Sequence, residues 1–316
     1  MMDGSNPTEL VRLAAGELRL ELAPAVGGSI ASFTRLWHEQ GKARALHWLR
    51  PASAEGLLGH DPLAMASFPL LPFCNRIRRG RASFEGREIR FPPNHPAGNS
   101  PHPLHGIGWQ RPWHVRSTGA ADAVLTLAVA ASDAWPWSFS ARQEFALSAR
   151  QLTVTMMLTN DDTAAMPAGI GHHPYFPHEP GTRLTTVTAA MWQGDAEVMP
   201  LDLETGGAVD QLRAGVQLAE LDLDNNFTGW QRSARIDWPA DLHGPARSLT
   251  MAAEAPLDYF VLYCPRGLVH FCAEPVSQCT DWLNLMPRYG PGPLGGSRLE
   301  PGESVVARFT LTPRWS

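Results

Sequence analysis

Glycine and proline recur so often along this chain that long helices have few places to form. The 316 residues include 28 glycines and 28 prolines. Proline removes a backbone donor and glycine weakens a helix interior, so both residue types confine helices to short segments. Short helices are therefore expected only near Pro7–Ala15 and Ala208–Ala214.

Much of the rest of the chain alternates apolar and polar residues with a period of two, which is typical of half-buried strands. Leu18–Leu22 has leucines at every second position, and Leu152–Thr159 repeats the pattern. Many short strands separated by turn residues predict an all-β fold, built as an antiparallel sandwich or barrel. The further predicted strands are Ala123–Val129, Leu249–Ala252, Phe260–Tyr263, Leu268–Ala273 and Val305–Thr312.

The organisation of the chain is predicted to be simple. No linker, low-complexity tract or repeat divides it, so residues 1–316 are expected to form one domain, which a β-rich chain of this length allows. Hydrophobic residues make up 44% of the sequence and charged residues 18%. This balance favours a packed core over extended disorder.

Charge and local composition exclude several classes of protein. With 26 basic and 31 acidic residues the net charge is −5, which argues against binding nucleic acid through phosphate contacts. No apolar run reaches the length that spans a bilayer, and Met1–Ser5 begins no secretory signal, so a cytoplasmic protein without a membrane partner is expected. The cysteines show no CxxC pair and are expected to be reduced and buried: Cys74, Cys264, Cys272 and Cys279.

Four segments concentrate side chains that can carry chemistry. In the segment His270–Pro275, alternation places His270, Cys272 and Glu274 on one strand face. Because Pro275 cannot donate a ladder hydrogen bond, Glu274 is expected at the end of that strand. The four segments are Phe73–Ile77, Leu104–Trp109, Gly169–Phe176 and His270–Pro275.

Histidine and glutamate in these segments favour acid–base chemistry over the main alternatives. His172 and His173 are adjacent, so on a strand they point to opposite faces and cannot both hold one metal ion. No HExxH spacing and no GxSxG elbow occurs, which argues against a zinc hydrolase or a serine nucleophile. No metal site and no cofactor is therefore predicted.

The order of these motifs resembles that of the aldose 1-epimerase (mutarotase) family over nearly the whole chain. His173 stands two residues before Tyr175 and so takes the place of the family's HxYF histidine. The segments that carry the resemblance are Ala23–Ile30, Asn75–Ile77, Leu104–Gly106, His173–Phe176, Asp224–Phe227, and Glu274-Pro275 followed by Asp281 and Asn284.

The resemblance implies both a fold and a set of roles. The fold would be a large antiparallel β-sandwich of the galactose mutarotase type, with few short helices and a sugar cleft on a concave sheet. Glu274 would be the general base at the C1 hydroxyl, His173 the general acid at the ring oxygen, and His105 would assist. The residues expected to bind the sugar are Asn75, Arg76, Asp224, Tyr175 and Trp109.

Departures from the family pattern leave the substrate open. Pro174 and Phe176-Pro177 replace more typical residues, and the aspartate motif reads Asp224-Asn225-Asn226-Phe227. The ligand is expected to be an aldose or a sugar phosphate, bound by a monomer or a homodimer. The sugar phosphate alternative depends on the arginines at 76, 78, 79 and 81. A sugar-binding protein without catalysis is the third alternative.

Overall fold

Antiparallel strands dominate the chain in a computed structural model that describes residues 9–240 and 245–315. From the N-terminal side the strands are β1 (Val11–Ala15), β2 (Leu18–Ala23), β3 (Ser29–Glu39), β4 (Lys42–His47), β5 (Pro69–Leu70), β6 (Arg81–Phe84), β7 (Arg87–Arg90), β8 (His114–Thr118), β9 (Asp122–Val129), β10 (Phe139–Leu147), β11 (Leu152–Asn160), β12 (Met166–Ala168) and β13 (Gly171–His172).

The second half of the chain continues in the same way. Its strands are β14 (Tyr175–Pro177), β15 (Arg183–Thr186), β16 (Ala190–Gly194), β17 (Pro200–Glu204), β18 (Val216–Gln217), β19 (Asp224–Thr228), β20 (Ser233–Trp238), β21 (Arg247–Ala253), β22 (Tyr259–Tyr263), β23 (His270–Val276), β24 (Ser297–Leu299) and β25 (Ser304–Trp315).

The helices are short, as the glycine and proline content predicts. They are α1 (Ala54–Leu58), α2 (Ala208–Ala214) and α3 (Trp282–Tyr289), with 3₁₀ turns at Pro62–Ala64, Arg78–Gly80, Gly108–Gln110 and Leu218–Glu220. Within residues 9–240 and 245–315, no helix has the length and apolar content that crossing a membrane requires.

Two large sheets organise the fold. A nine-stranded sheet has the order β18-β15-β20-β21-β25-β11-β10-β9-β8. An eight-stranded sheet has the order β17-β16-β19-β22-β23-β13-β5, and β14 also pairs with β23. The sheets share one apolar core; for example, the ring of Phe309 on β25 lies 5.3 Å from that of His172 on β13. The predicted antiparallel β-sandwich is confirmed.

Three smaller sheets complete the strand pairing. β1 to β4 form a four-stranded antiparallel sheet in sequential order, while β12 pairs with β24 and β6 with β7. Most predicted strands lie within observed ones, and the helix expected at Ala208–Ala214 is α2.

The helix expected at Pro7–Ala15 is wrong for the part that the structure describes. Val11–Ala15 is β1, and Leu13 pairs with Leu20 in a hairpin that turns at Gly16 with φ +57°. The hairpin buries both leucines, and this tertiary pairing outweighs a weak local helix preference. Pro7 lies outside the described residues.

Pro275 does not end its strand, so the prediction that Glu274 lies at a strand end is wrong. β23 continues to Val276, and Pro275 pairs with Phe260. The backbone N–H of Ser277 donates to Ile170 (2.9 Å), on the side of β13. N–H direction alternates along a strand, so the missing N–H of Pro275 faces that same side, opposite His172, the last residue of β13. The proline therefore affects only the end of the pairing with β13 and leaves the pairing with β22 intact.

Candidate active site

One face of the eight-stranded sheet presents two rows of side chains that meet in a cleft. Residues paired directly across antiparallel strands point to the same face, and residues two apart on one strand do so as well. The first row consists of Asp224, Tyr263, Cys272 and Tyr175 on β19, β22, β23 and β14. The second row consists of Asn226, Val261 and Glu274 on β19, β22 and β23.

His173 enters the cleft between β13 and β14, where the chain is not paired with β23. Its N–H donates to Phe68 (2.9 Å), so this short stretch runs beside residues 66–68 instead of continuing the ladder. The imidazole stacks on the Phe68 ring, with centroids 4.7 Å apart. His172 points away from the cleft, and its Nδ1 contacts the Ser67 hydroxyl. Only one histidine of the doublet therefore faces the cleft, as alternation predicts.

The opposite wall is made by two loops that hold each other. The N–H of Asn75 donates to His105 Nδ1 (3.1 Å), and the N–H of His105 donates to the carbonyl of Asn75 (2.8 Å). Both residues have left-handed backbones, φ +57° and +60°, which asparagine and histidine adopt more readily than most residues. Gly106 follows with φ +68°, and a Cβ there would lie 2.2 Å from the carbonyl oxygen of Leu71. Only glycine fits that position.

Arg76 bridges the loop and the sheet. Its Nη2 lies 3.3 Å from Asp224 Oδ2, and its Nη1 lies 3.3 Å from Asn75 Oδ1. The N–H of Asp281 donates to the carbonyl of Arg76 (2.9 Å), and Asp281 Oδ1 accepts from the N–H of Arg78 (2.9 Å). Asp281 thereby fixes the backbone on both sides of Ile77.

The arginine-rich segment does not converge on the cleft. Arg78 lies 2.8 Å from Asp195 and 3.5 Å from Glu197, with Asp281 at 3.9 Å. Of the arginines at 76, 78, 79 and 81, only Arg76 lines the cleft. The four-arginine phosphate clamp is not assembled.

His173 and Glu274 form the closest acid–base pair in the cleft. Nε2 of His173 lies 3.3 Å from Oε1 of Glu274, and the residues are 8% and 2% exposed. Burial raises the pKa of Glu274 well above its usual value, and the charge of Asp224 raises it further. Burial lowers the pKa of His173 to about 3, with Arg50 acting in the same direction. The short separation would suit an ion pair, but withdrawal from water favours the neutral form of both groups.

His105 lies beside this pair as a neutral hydrogen-bond donor. Its ring centroid is 5.1 Å from that of His173, at 87°. Burial lowers its pKa well below the usual value, and the neighbouring His173 contributes. Because Nδ1 accepts the Asn75 N–H, Nε2 carries the proton. Phe68 contacts both histidine rings and fixes their relative orientation.

The cleft has a volume of about 270 Å³ and brings together most of the predicted site residues. That volume falls just below the roughly 300–1,000 Å³ of drug-sized ligand pockets, which suits a small ligand. A depression of about 440 Å³ elsewhere, lined by Trp238 and Trp315, has no such acid–base pair. The predicted residues that line the cleft are Asn75, Arg76, His105, His173, Tyr175, Asp224 and Glu274.

Trp109 is the predicted site residue that the structure does not bring to the cleft wall. Its side chain is fully buried, and Nε1 donates to the carbonyls of Leu104 (3.1 Å) and Gly106 (3.2 Å). The indole stacks on Phe68, with centroids 5.2 Å apart. Trp109 therefore supports the histidines from behind.

Sequence reasoning missed several residues of the cleft wall. Alternation had placed His270 on the face of Glu274, and that signal was sufficient to include it. Arg50 follows Trp48-Leu49 in a segment with no recognisable motif, so no local signal identified it. The residues missed are Arg50, Leu63, His95, Tyr263 and His270.

One group of possible metal ligands occurs among residues 9–240 and 245–315. His173, Cys272 and Glu274 have donor atoms within 4.8 Å of one another. A thiol binds metal as the thiolate, and burial raises the pKa of Cys272 well above its usual value. Burial therefore opposes the thiolate of Cys272 and the carboxylate of Glu274, which are the forms that would bind a metal ion.

Comparisons with known proteins agree over almost the whole chain. The family model described as aldose 1-epimerase matches residues 9–312. The Escherichia coli protein YphB is 30% identical over 318 residues, covering 96% of this chain and 98% of YphB. YihR from the same organism is 28% identical over 257 residues, covering 77% of this chain and 75% of YihR.

Solved structures share the fold. A crystal structure from Escherichia coli K12 superposes with a TM-score of 0.83 at 26% identity, covering 98% of this chain and 99% of that chain. A galactose mutarotase-like protein from Clostridium acetobutylicum gives a TM-score of 0.77 at 18% identity, covering 99% and 97%. The predicted mutarotase type of sandwich is confirmed.

Proposed function

Because this chain belongs to the aldose 1-epimerase family, we propose that it interconverts the α and β anomers of an aldose by acid–base opening and closing of the sugar ring. The observation that carries the proposal is the 3.3 Å contact between His173 Nε2 and Glu274 Oε1 in a buried cleft. A protein that only binds sugar has no need of two buried proton-transfer groups in contact.

The pair is suited to the reaction because it holds one proton between two sites. Burial disfavours the doubly protonated state, which contains an imidazolium, and the fully deprotonated state, which contains an unpaired carboxylate, so the pair keeps one proton and one partner is a donor while the other is an acceptor. The reactive form has Glu274 as carboxylate and His173 protonated, and moving one proton across the 3.3 Å contact produces it from the neutral form.

Ring opening uses each partner once. Glu274 takes the proton of the C1 hydroxyl as the C1–O1 bond becomes a carbonyl. The C1–O5 bond breaks, and O5 receives the proton of His173. The open aldehyde rotates about C1–C2, and closure from the other face returns both protons. Each correctly placed acid or base contributes roughly 10²–10⁴-fold in rate.

The surrounding residues hold the sugar in place. Arg76 and Asp224 offer donors and acceptors for neighbouring hydroxyls, and Asn75 orients Arg76 by accepting from Nη1. The Nε2–H of His105 is a neutral donor that can stabilise charge on the ring oxygen. The Tyr175 ring lines the cleft and packs against the imidazole of His173, with centroids 4.7 Å apart, which helps to fix the direction of the general acid.

Polarimetry of freshly dissolved α-glucose and α-galactose tests the proposal. Wild-type protein should bring rotation to equilibrium faster than the buffer, and Glu274→Gln should lose roughly 10²-fold or more of that acceleration. Glu220→Gln, on an exposed turn, is the matched control and should keep wild-type activity. Calorimetric binding of a sugar that is not epimerised would favour the non-catalytic alternative, and full activity of Glu274→Gln would remove the role given to that carboxylate.

A further inference from the structure

Arg50 is held firmly against one wall of the cleft. Its Nη2 donates to the carbonyls of Leu63 (2.6 Å) and Met65 (2.7 Å), and its guanidinium carbon lies 3.8 Å from the centre of the Tyr175 ring. Its own N–H donates to the carbonyl of Tyr175 (2.8 Å). The side chain is therefore half-buried and fixed in direction, in contrast to a mobile surface arginine.

These contacts leave the charge of Arg50 uncompensated. Carbonyls and an aromatic ring orient the guanidinium without neutralising it, and no carboxylate of residues 9–240 or 245–315 forms an ion pair with it. Arg76, the other arginine of the cleft, is paired with Asp224 at 3.3 Å. Because burial favours protonated Glu274, the ligand-free cleft carries an excess positive charge at the Arg50 end.

The position of Arg50 relative to the reacting groups indicates which part of a sugar it meets. The Tyr175 ring lies between Arg50 and His173, 3.8 Å from the first and 4.7 Å from the second. The charges of both arginines act on His173, that of Arg50 more strongly than that of Arg76, whereas Arg76 is the arginine that acts on Glu274. Arg50 therefore lies on the side of the ring oxygen, and Arg76 on the side of C1.

The ring atom beyond the oxygen is C5, which bears the exocyclic carbon C6. On this geometry, and resting on the proposed function, we propose that Arg50 binds an anionic group carried at C6 of the aldose. A guanidinium forms paired, charge-assisted hydrogen bonds with carboxylate, phosphate or sulfonate oxygens, and Nη1 and Nε make no hydrogen bond to a side chain among the described residues. His270, with its ring 5.3 Å from Tyr175, lines the same end.

The test compares kcat/KM for glucose, glucuronate and glucose 6-phosphate by polarimetry. Wild-type protein should prefer at least one anionic sugar over glucose by tenfold or more. Arg50→Gln should reduce that anion-to-neutral ratio at least tenfold, Arg50→Lys should retain part of it, and Arg111→Gln, at an exposed site, should leave it unchanged. Inorganic sulfate should compete with the charged sugar in wild-type protein and lose this effect in Arg50→Gln.

The possible results distinguish a failure of the proposed Arg50 site from a failure of the proposed epimerase function. Acceleration of glucose with no preference for either anion overturns the subsite and leaves the epimerase proposal standing. Equal ratios in wild-type protein and a folded Arg50→Gln also overturn it. No acceleration of any sugar overturns the proposed function instead. A preference for glucuronate or for glucose 6-phosphate supports the subsite and identifies the anion.

Discussion

Nε2 of His173 and Oε1 of Glu274 lie 3.3 Å apart, and backbone hydrogen bonds fix both residues. Glu274 lies within β23, and His173, between β13 and β14, donates its backbone N–H to Phe68. Backbone hydrogen bonds therefore set the separation between acid and base. The first property to test is the proton that this pair shares.

The pH dependence of kcat/KM should show a plateau that extends well into the acid range. A second proton enters the pair only near the lowered pKa of His173, about 3, and the single proton leaves only above the usual range of glutamate. An ordinary histidine titrates near ~6.5, so a conventional general acid would change activity there. Polarimetry with buffer blanks should show less than a twofold loss of activity as pH falls from 6 to 5, because His173 takes up a second proton only near its lowered pKa. A tenfold loss across that interval would contradict the shared-proton description.

Replacement of Glu274 by glutamine should not destabilise the protein at neutral pH. Because burial raises the pKa of Glu274, the folded state binds its proton more tightly than the unfolded state, and its contribution to stability falls as pH rises above the unfolded pKa of ~4.3. Glutamine is neutral at every pH and escapes this loss. Urea unfolding should show that the advantage of Glu274→Gln over wild type grows from pH 4 to pH 7. An advantage that shrinks with pH would show that the folded state favours the carboxylate.

The Arg76–Asp224 contact should behave as one binding unit. Arg76→Gln and Asp224→Asn should each lower kcat/KM roughly ten- to hundredfold, the range expected for hydrogen bonds to charged groups of about 1.5–3 kcal/mol. The double variant should lose less than the product of the two, because each residue orients the other at 3.3 Å. Arg232→Gln, from the exposed Arg232–Asp258 pair, is the control and should change little. Fully multiplicative losses would mean that the two residues act independently.

Asp281 should position Arg76 and impose a second pH dependence on stability. Burial raises its pKa to about 6, so its contribution to stability falls as pH rises above the unfolded pKa of ~3.9, by about 3 kcal/mol in total at 1.36 kcal/mol per unit. The part of this change between pH 4 and pH 6 is about 2 kcal/mol, so urea unfolding should show the stability of Asp281→Asn rising by about 2 kcal/mol relative to wild type over that interval. Asp133→Asn, on an exposed turn, is the control.

Asp281→Asn should also change the kinetic constants. Asp281 contacts the backbone on both sides of Ile77 and does not line the cleft. Loosening that loop should raise KM for the sugar more than it lowers kcat, because the proton-transfer pair is held elsewhere. An effect on kcat alone would assign Asp281 a role other than the positioning of Arg76.

The sequence was most informative where a pattern repeats. Alternation predicted the strands around Leu18–Leu22 and Leu152–Thr159, and the ordered short motifs indicated most of the residues that now line the cleft. Arg50 was not predicted because its role depends on packing against Tyr175, which lies 125 positions further along the chain. No local pattern records such a contact.

Two predictions were wrong because they depend on contacts between chain segments that are distant in the sequence. Pro275 was expected to end its strand, but its missing N–H faces the last residue of β13, and the pairing of β23 with β22 continues to Val276. Trp109 was expected to meet the sugar, but its indole N–H is directed to two carbonyls behind His105. Both outcomes are decided by neighbouring chain segments, which only the folded arrangement shows.

β23 is paired with other strands on both sides, so the number of residues in it decides which of its side chains face the cleft. Deleting one residue between His270 and Glu274 would turn the carboxylate into the apolar space between the two large sheets, where a charge finds no counterpart. The same deletion at the exposed Glu85–Gly86 turn leaves both rows in register. A change in length is therefore compatible with the site in such a turn, whereas within β23 it would remove Glu274 from the cleft.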